Sequence, residues 1–534
     1  MVTIRCGDTL LRLALIQGAS VRELLDTTHL RVRASCGGNG SCGACCILLI
    51  HGACNPPTRS EWEKLTPAQR AEGYRLACQL RPAGPCELQL IQPAAPSPWK
   101  SIPPPELHHP PNTPPTPSPY PLGVAVDLGT THLRITLWDR TAKRRIASRW
   151  GINPQEIHGA DILNRLTEAN RTPQRAAELA QLPREAILHA VRDMLARDLG
   201  EVTPMLKKIG QVMIVGNTAM LTLLAGTNTT PLLDPNAEHL PIHCQPDDPA
   251  AWQRHWEWPN AQITLLPPVS PFIGSDLLAG VVASQLPKGP PGSLLLDLGT
   301  NIELALWDGQ TLYITSTPGG PAFEVSGVRH GMNAETGAIH RITRQHDTLT
   351  CHVTNGESPK GFCGSGLLDA IAVLRQQAIL KPSGRFASPC SPNGYPLLPD
   401  YPHITVTPKD VDTFQRAKAA CAAAMSILLQ QARMTWSDLN HLWICGAFGN
   451  GINGLHAQQL GLIPPLNPEK LHSLPGAALQ GCEMALLSPN GAQLFQQWLP
   501  VIHPVNLSTS TRFEEEFIQH LHLRAIGDIM PINN

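Results

Sequence analysis

The sequence predicts an α/β protein in three parts: a small cysteine-rich head, a proline-rich neck and a large two-lobed body. Three observations carry this. Of 15 cysteines, eight (Cys6, Cys36, Cys42, Cys45, Cys46, Cys54, Cys78, Cys86) fall within the first 90 residues. Of 52 prolines, thirteen lie between Pro93 and Pro121. The string Asp-Leu-Gly-Thr occurs twice in the body, at 127–130 and 297–300, each time between two apolar runs of strand length. A chain of 534 residues is also too long for one small fold.

Composition narrows the function. With 42 % apolar and 16 % charged residues, the chain can fill large cores and is not a disordered polyelectrolyte. Forty-one basic against 42 acidic residues give a net charge of −1, which argues against a protein that coats nucleic acid. No apolar run reaches the roughly 18 residues of a membrane helix. The start, Met1-Val2-Thr3-Ile4-Arg5-Cys6, lacks the pattern of a secretory signal. A cytoplasmic protein is therefore expected. There, an odd number of clustered cysteines reads as metal binding or redox chemistry rather than disulfides.

In the head, Asp8 is expected to cap a short helix carrying Leu10, Leu11, Leu13 and Leu15, ended by Gly18. Then comes Cys36-Gly-Gly-Asn-Gly-Ser-Cys42-Gly-Ala-Cys45, an apolar strand at 47–50, the phrase Arg75-Leu76-Ala77-Cys78-Gln79 and a strand near Cys86–Leu90. Three thiolates on a glycine-rich loop and one from a distant segment can wrap a small inorganic cluster. Glycines 37, 38, 40 and 43 permit positive φ, which turns N–H groups toward the sulfurs and helps set a reduction potential. A zinc knuckle or a set of reactive thiols are the alternatives. Zinc sites usually draw on two Cys-x-x-Cys pairs where one is present, and free thiols would not need the glycine framing. With its C-x5-C-x2-C…C spacing the head resembles the β-grasp [2Fe-2S] ferredoxins, in the branch with the longer first loop. That resemblance implies Cys36, Cys42, Cys45 and Cys78 as cluster ligands, with Cys46, Cys54 and Cys86 as packing residues. It also implies an opening two-stranded hairpin, part of which is expected to be missing here.

Proline fixes φ and removes donors, so the neck can form neither a helix nor a central strand. It reads as an extended spacer of about 3.1 Å per residue, either a separator or a tether on which the head swings.

The body opens with a strand ending in Asp127-Leu-Gly129-Thr130-Thr131, and the design returns 170 residues later as Asp297-Leu-Gly299-Thr300-Asn301. Two such hairpins facing across a cleft can surround a polyphosphate with N–H groups and hydroxyls. Their aspartates, Asp127 and Asp297, can hold Mg²⁺ and orient a nucleophile. Neither copy has a Walker A lysine. A third strand runs into Gly446-Ala447-Phe448-Gly449-Asn450, where a flat base can lie against backbone. In this order the three resemble the phosphate-1, phosphate-2 and adenosine motifs of the acetate and sugar kinase, Hsp70 and actin superfamily. Segments around Asn153…Arg165, Val215–Thr218, Gly319-Gly320 and Cys363…Asp369 extend the match.

With the head in front, the whole order resembles the reductive activators of corrinoid proteins. The resemblance implies a ferredoxin domain at 1–92, a linker at 93–121, a first phosphate hairpin and small helical middle domain at 122–206, and an actin-like (ribonuclease H-like) ATPase domain at 207–534. It implies a [2Fe-2S] cluster, ATP and Mg²⁺, an upstream electron donor and a homodimer. The partner is the corrinoid protein of a methyltransferase system, returned from Co(II) to Co(I). Phosphate contacts fall to Gly129, Thr130, Thr131, Gly299, Thr300, Asn301, Gly319 and Gly320, and the adenine side to residues 446–450. Ile302 stands where the family has glycine and is expected to crowd a phosphate. Helices between Arg175 and Leu199 are expected to form a dimer face or to cap the core. Two rival readings are an iron–sulfur electron carrier or sensor with an inert nucleotide fold, and a redox-switched small-molecule kinase.

Overall fold

The chain begins as a hairpin. In the computed structural model, β1 (Val2–Cys6) pairs antiparallel with β2 (Thr9–Leu13), Cys6 facing Thr9 across a two-residue turn. Gly7, with φ 56°, takes the first central position, the glycine position of a type II′ turn. The expected helix at 8–18 is thus replaced by a strand, and the hairpin expected to be incomplete is present. Leu11 and Leu13 are buried and Arg12 between them is exposed, a period of two. The residues described are 1–102, 118–159, 161–234, 242–246, 248–319, 323, 325, 327–345, 348–354, 358–391, 393–449, 451–507 and 510–527.

The first helix is Val21–Asp26, opened by a capping box in which Ser20 and Glu23 satisfy each other's backbone N–H groups. Strands β3 (Cys46–Cys54), β4 (Tyr74–Leu76) and β5 (Pro82–Gln89) complete a five-stranded sheet of order β2-β1-β5-β3-β4. β1 runs parallel to β5 at its centre, and this is the β-grasp arrangement. Val2, Ile4, Leu25, Ile47, Leu76 and Leu88 are fully buried between sheet and helix.

The neck is not a free spacer from its first residue. Lys100 and Trp150 exchange backbone hydrogen bonds of 2.9 and 2.8 Å, adding a short bridge at the edge of the strand that carries Trp150. Trp99 is 4 % exposed and its indole N–H donates to His189 Nδ1 at 2.8 Å. Residues 93–102 are therefore knitted into the fold, because an indole finds there both apolar cover and an acceptor. The rest of the proline run, 103–117, lies outside the described residues.

Two compact units follow from the contacts. The first comprises residues 1–275 and the returning segment 482–492; the second comprises 276–481 and 493–534. In the first, β6 (Leu122–Leu128), β7 (His132–Asp139), β8 (Arg144–Ile152), β9 (Ile209–Gly216) and β10 (Gln262–Leu265) form a sheet ordered β10-β9-β6-β7-β8. β9 lies parallel beside β6, so one sheet extends across the boundary expected at 206–207. The expected helices appear as Pro173–Met194, continued by a π-turn at Leu195–Leu199 that Gly200 ends in the left-handed region. Leu179, Ile187, Val191 and Met194 bury one face of that helix in the sheet's core, as a cap.

The second unit repeats the plan. Strands β11 (Ser293–Leu298), β12 (Asn301–Trp307) and β13 (Leu312–Pro318) form an antiparallel meander. Two small sheets follow, from β14 (Ala338–Gln345), β15 (Thr348–Val353) and β16 (Gly361–Phe362), and from β17 (Tyr395–Pro396) and β18 (Thr405–Val406). Then β19 (His441–Cys445), β20 (Leu471–Ser473) and β21 (Ile502–Pro504) extend the main sheet to the order β20-β19-β11-β12-β13-β21. A 24-residue helix, Pro408–Gln431, with Ala417, Cys421, Met425 and Leu428 buried, fills the core beneath it. Among the described residues no helix is long and apolar enough to cross a membrane.

Candidate functional site

The cysteine loop leaves the first helix and returns into β3. Its four glycines all have positive φ, from 64° at Gly37 to 83° at Gly40. Cys45 Sγ and Cys78 Sγ lie 3.3 Å apart and are 2 % and 4 % exposed at residue level. Cys36 and Cys42 also touch through their sulfurs, on the more exposed side. Burial pushes the Cys36 thiol up, but amide N–H groups of Cys42, Gly38 and Gly40, together with the Cys42 thiol, outweigh it and bring it to about 7. Cys78 is held at about 6, chiefly by the Cys45 thiol, and against burial by Gln79, Arg22 and the Gly40 amide. Beside that thiolate, Cys45 is pushed up.

This donor set fits a two-iron cluster. Among the described residues no three His, Cys, Asp or Glu side chains are arranged about one ion. The cysteines instead come together as two pairs, Cys45 with Cys78 and Cys36 with Cys42, with N–H donors turned toward the sulfurs, and together they would hold the cluster. A residue that sequence reasoning missed anchors the segment that carries Cys78. Glu61, fully buried, accepts hydrogen bonds from Arg75 Nε at 2.7 Å and Nη2 at 3.1 Å, and from the Leu76 N–H at 3.0 Å. It thereby fixes the strand that delivers Cys78. The box Thr58-x-x-Glu61 reads in sequence only as a helix cap.

In the first unit, Asp127 is 4 % exposed and sits opposite Arg134 across the hairpin, with Nη1 to Oδ2 at 3.2 Å. Burial raises its carboxyl and Arg134 opposes the rise. The Gly129 N–H is spent closing the turn onto the His132 carbonyl at 3.0 Å. The Thr130 hydroxyl accepts from Asn217 Nδ2 at 3.0 Å. Asn153 donates to the Gly129 carbonyl at 2.9 Å and Arg165 to the Thr130 carbonyl at 2.7 Å. Two segments that the sequence singled out, Asn153…Arg165 and Val215–Thr218, therefore converge on this turn.

In the second unit, Asp297 has Glu303 opposite it on β12 and Cys445 beside it on β19. Gly299 N–H closes the turn on the Asn301 carbonyl at 3.1 Å. Burial, then the Asp297 and Glu303 carboxylates, push the Cys445 thiol well above its usual range. Gly446 follows with φ 85°, and a Cβ there would stand 2.5 Å from Asp297 Oδ1. The Phe448 ring is stacked on Phe323 at 4.6 Å between centroids and is 7 % exposed, so its face is already covered. Gly319 is buried against Ile302 Cγ1, and Gly320, Pro321, Ala322, Glu324 and Asn450 lie outside the described residues.

Ile302 does not crowd the turn. Its side chain is fully buried in the apolar core of the unit. Register explains why: Leu298 pairs with Ile302, as Leu128 pairs with Leu133 in the first copy. The second turn is one residue shorter, so Ile302 occupies an inward strand position rather than a turn position.

A family model described as the RACo middle region matches residues 122–289, past the expected boundary at 206, and one described as the C-terminal domain of RACo, the ASKHA domain, matches residues 292–531. A 2Fe-2S iron-sulfur cluster binding domain matches residues 10–83, which span all four cysteines of the loop and β4 end. The chain belongs to the reductive activators of corrinoid proteins. The corrinoid activation enzyme RamQ of Eubacterium limosum is 28 % identical over 431 residues, 74 % of this chain and 70 % of that protein. The [Co(II) methylated amine-specific corrinoid protein] reductase of Methanosarcina barkeri is 26 % identical over 375 residues, 64 % of this chain and 66 % of that protein. A solved structure titled reductive activator for corrinoid,iron-sulfur protein shares the fold, with a TM-score of 0.65, 21 % identity, and 99 % and 100 % of the two chains covered. In this reductive activator the cluster domain and both hairpin units thus stand in the order of the family.

Proposed function

We propose that this chain uses ATP to drive an electron through a [2Fe-2S] cluster onto a corrinoid protein, reducing inactive Co(II) to the Co(I) form that methyl transfer requires. The observation that carries it is the presence, on one chain, of two cysteine pairs framed by glycine amides and of two Asp-Leu-Gly-Thr hairpins. The names of the two relatives point to the same substrate class. When bound, the cluster supplies one-electron transfer at a potential near the roughly −400 mV of plant-type ferredoxins.

The chain's own residues supply the rest. Cys36, Cys42, Cys45 and Cys78 hold the cluster. Thr130, Thr131, Thr300 and Asn301, with the glycines beside them, take phosphate oxygens. Mg²⁺ falls chiefly to Asp297, which has the Glu303 carboxylate opposite it, whereas Asp127 is paired with Arg134. Nucleotide can favour Co(I) only by binding one state of the complex more tightly than another. An upstream donor feeds the cluster, and the protein acts in the cytoplasm as a homodimer.

The test is anaerobic mixing of the reduced protein with a Co(II) corrinoid protein, with and without ATP and Mg²⁺. Growth of Co(I) absorbance only with nucleotide is the expected result. Phosphate transfer to a small molecule without cobalt reduction would replace this reading by a kinase.

A further inference from the structure

Four arginines and three aspartates meet where the head rests on the middle region, inside the first unit. The head gives Arg22, Asp26 and Arg31. The middle region gives Arg149, Asp193, Arg197 and Asp198. Arg31 holds Asp193 through two hydrogen bonds of 3.1 Å, and Arg149 shares that carboxylate. Arg149 Nη2 donates to Asp198 Oδ2 at 2.7 Å, and Arg197 Nη2 to Asp26 Oδ1 at 2.6 Å. Arg22 Nη2 donates to the Arg197 carbonyl at 2.9 Å and pairs with Asp198. The four arginines are only 1–8 % exposed, so little of their charge is answered by water.

Four positive charges against three negative leave one positive charge over, and a buried charge needs a partner. Arg22 is the member that reaches the cysteine loop. A Cβ built on Gly38 would stand 2.7 Å from Arg22 Nη1 and 3.9 Å from Cys78 Cβ, so the guanidinium lies against the loop and close enough to Cys78 to act on its charge. The loop also rests on the residues that carry Asp198: a Cβ on Gly37 would stand 2.5 Å from the Asp198 carbonyl oxygen.

We infer that Arg22 is shared between the cluster and Asp198, so that Asp198 of the middle region sets the cluster's potential through Arg22. An electron from the donor adds one negative charge at the thiolate-bound cluster, with no bond made or broken among these residues. That charge competes with Asp198 for the same guanidinium. Removing Asp198's charge leaves Arg22 to the cluster and favours the reduced state; removing Arg22 does the reverse. Any movement of the middle region that separates Asp198 from Arg22 makes the cluster a weaker reductant. The inference rests on the cluster of the proposed function and not on the corrinoid partner.

The test is a mediator-based redox titration of the full chain, followed by the EPR signal of the reduced cluster. Asp198→Asn is expected to raise the midpoint and Arg22→Gln to lower it. Each shift corresponds to about a tenfold change in the one-electron equilibrium, or about 59 mV. Asp198→Asn in the Arg22→Gln background should add nothing. Asp193→Asn loosens the same interface without touching Arg22 and should leave the midpoint in place. Shifts of the same sign in both single variants, or an equal shift in Asp193→Asn, would mean loosening alone and overturn the inference. Should Asp198→Asn not accumulate, Asp198→Glu must hold the midpoint while Arg22→Gln still lowers it; a midpoint unmoved by Arg22→Gln overturns it. Unaltered protein with no [2Fe-2S] spectrum overturns the functional reading itself, and this inference with it.

Discussion

Two copies of one hairpin have been put to different uses. Across the first sheet the row reads Arg134, Asp127, Val215; across the second it reads Glu303, Asp297, Cys445. In the first row the carboxylate is neutralised by an arginine 3.2 Å away. In the second, two carboxylates, Asp297 and Glu303, stand directly opposite each other. Equal strings of letters therefore face unequal partners across the sheet. The lesson is that such a hairpin's electrostatics are written as much on the returning strand as on the turn.

The largest expected effect separates the two aspartates. Asp297→Asn should lower ATP-dependent Co(I) formation by about 10²–10³-fold, the range for losing one preorganised charge-stabilising group, with the cluster spectrum intact. Asp127→Asn should cost at most about tenfold. Equal losses would erase the comparison.

Next is a pH effect confined to the first copy. Its turn has one residue more than the second, and His132 opens the returning strand where Asn301 stands in the second copy. Burial, then the charges of Arg134 and Lys100, hold the His132 imidazole down at about 4. An unfolded histidine titrates near 6.5. The stability gained by keeping His132 neutral is thus fully present above about pH 6.5 and is lost as pH falls toward 4, up to roughly 3 kcal/mol. Thermal melts between pH 7 and 4 should show a steep acid limb that flattens in His132→Asn. An unchanged limb would assign the acid sensitivity elsewhere.

Glu303→Gln should raise the Mg²⁺ concentration needed for nucleotide hydrolysis by about 10–100-fold, and Arg134→Gln should leave that requirement unchanged. A metal titration of both variants sharpens the comparison. The smallest effect is steric. Gly446→Ala forces a side chain into a backbone at φ 85° and toward Asp297 Oδ1; we expect a loss of about 1–3 kcal/mol in stability, read as a lower melting temperature.

How much of this was legible depended on sequence distance. The grouping of the four candidate cysteines was, because three of them sit in one ten-residue loop. The repeated turns were too, since strand, acid and glycine are contiguous. The opening hairpin was not: Leu10, Leu11, Leu13 and Leu15 satisfy a helical spacing as well as a strand's, and only the turn at Gly7 decides. Ile302 was misread because letters were aligned without register, and register shows the one-residue difference between turns. The arginine–aspartate junction was invisible in principle, as its head-to-middle partners lie more than 160 residues apart.

That junction bears on how such proteins can be recombined. If the head were exchanged for another ferredoxin, Arg149, Arg197, Asp193 and Asp198 would lose Arg22, Asp26 and Arg31, and a buried guanidinium left unpaired is costly, typically 3–5 kcal/mol. Trp99 and Lys100, edging the middle region's sheet, would tie any graft point to positions beyond residue 102. The electron carrier is thus inherited together with its seat, and lineages that trade heads must trade the matching charges with them.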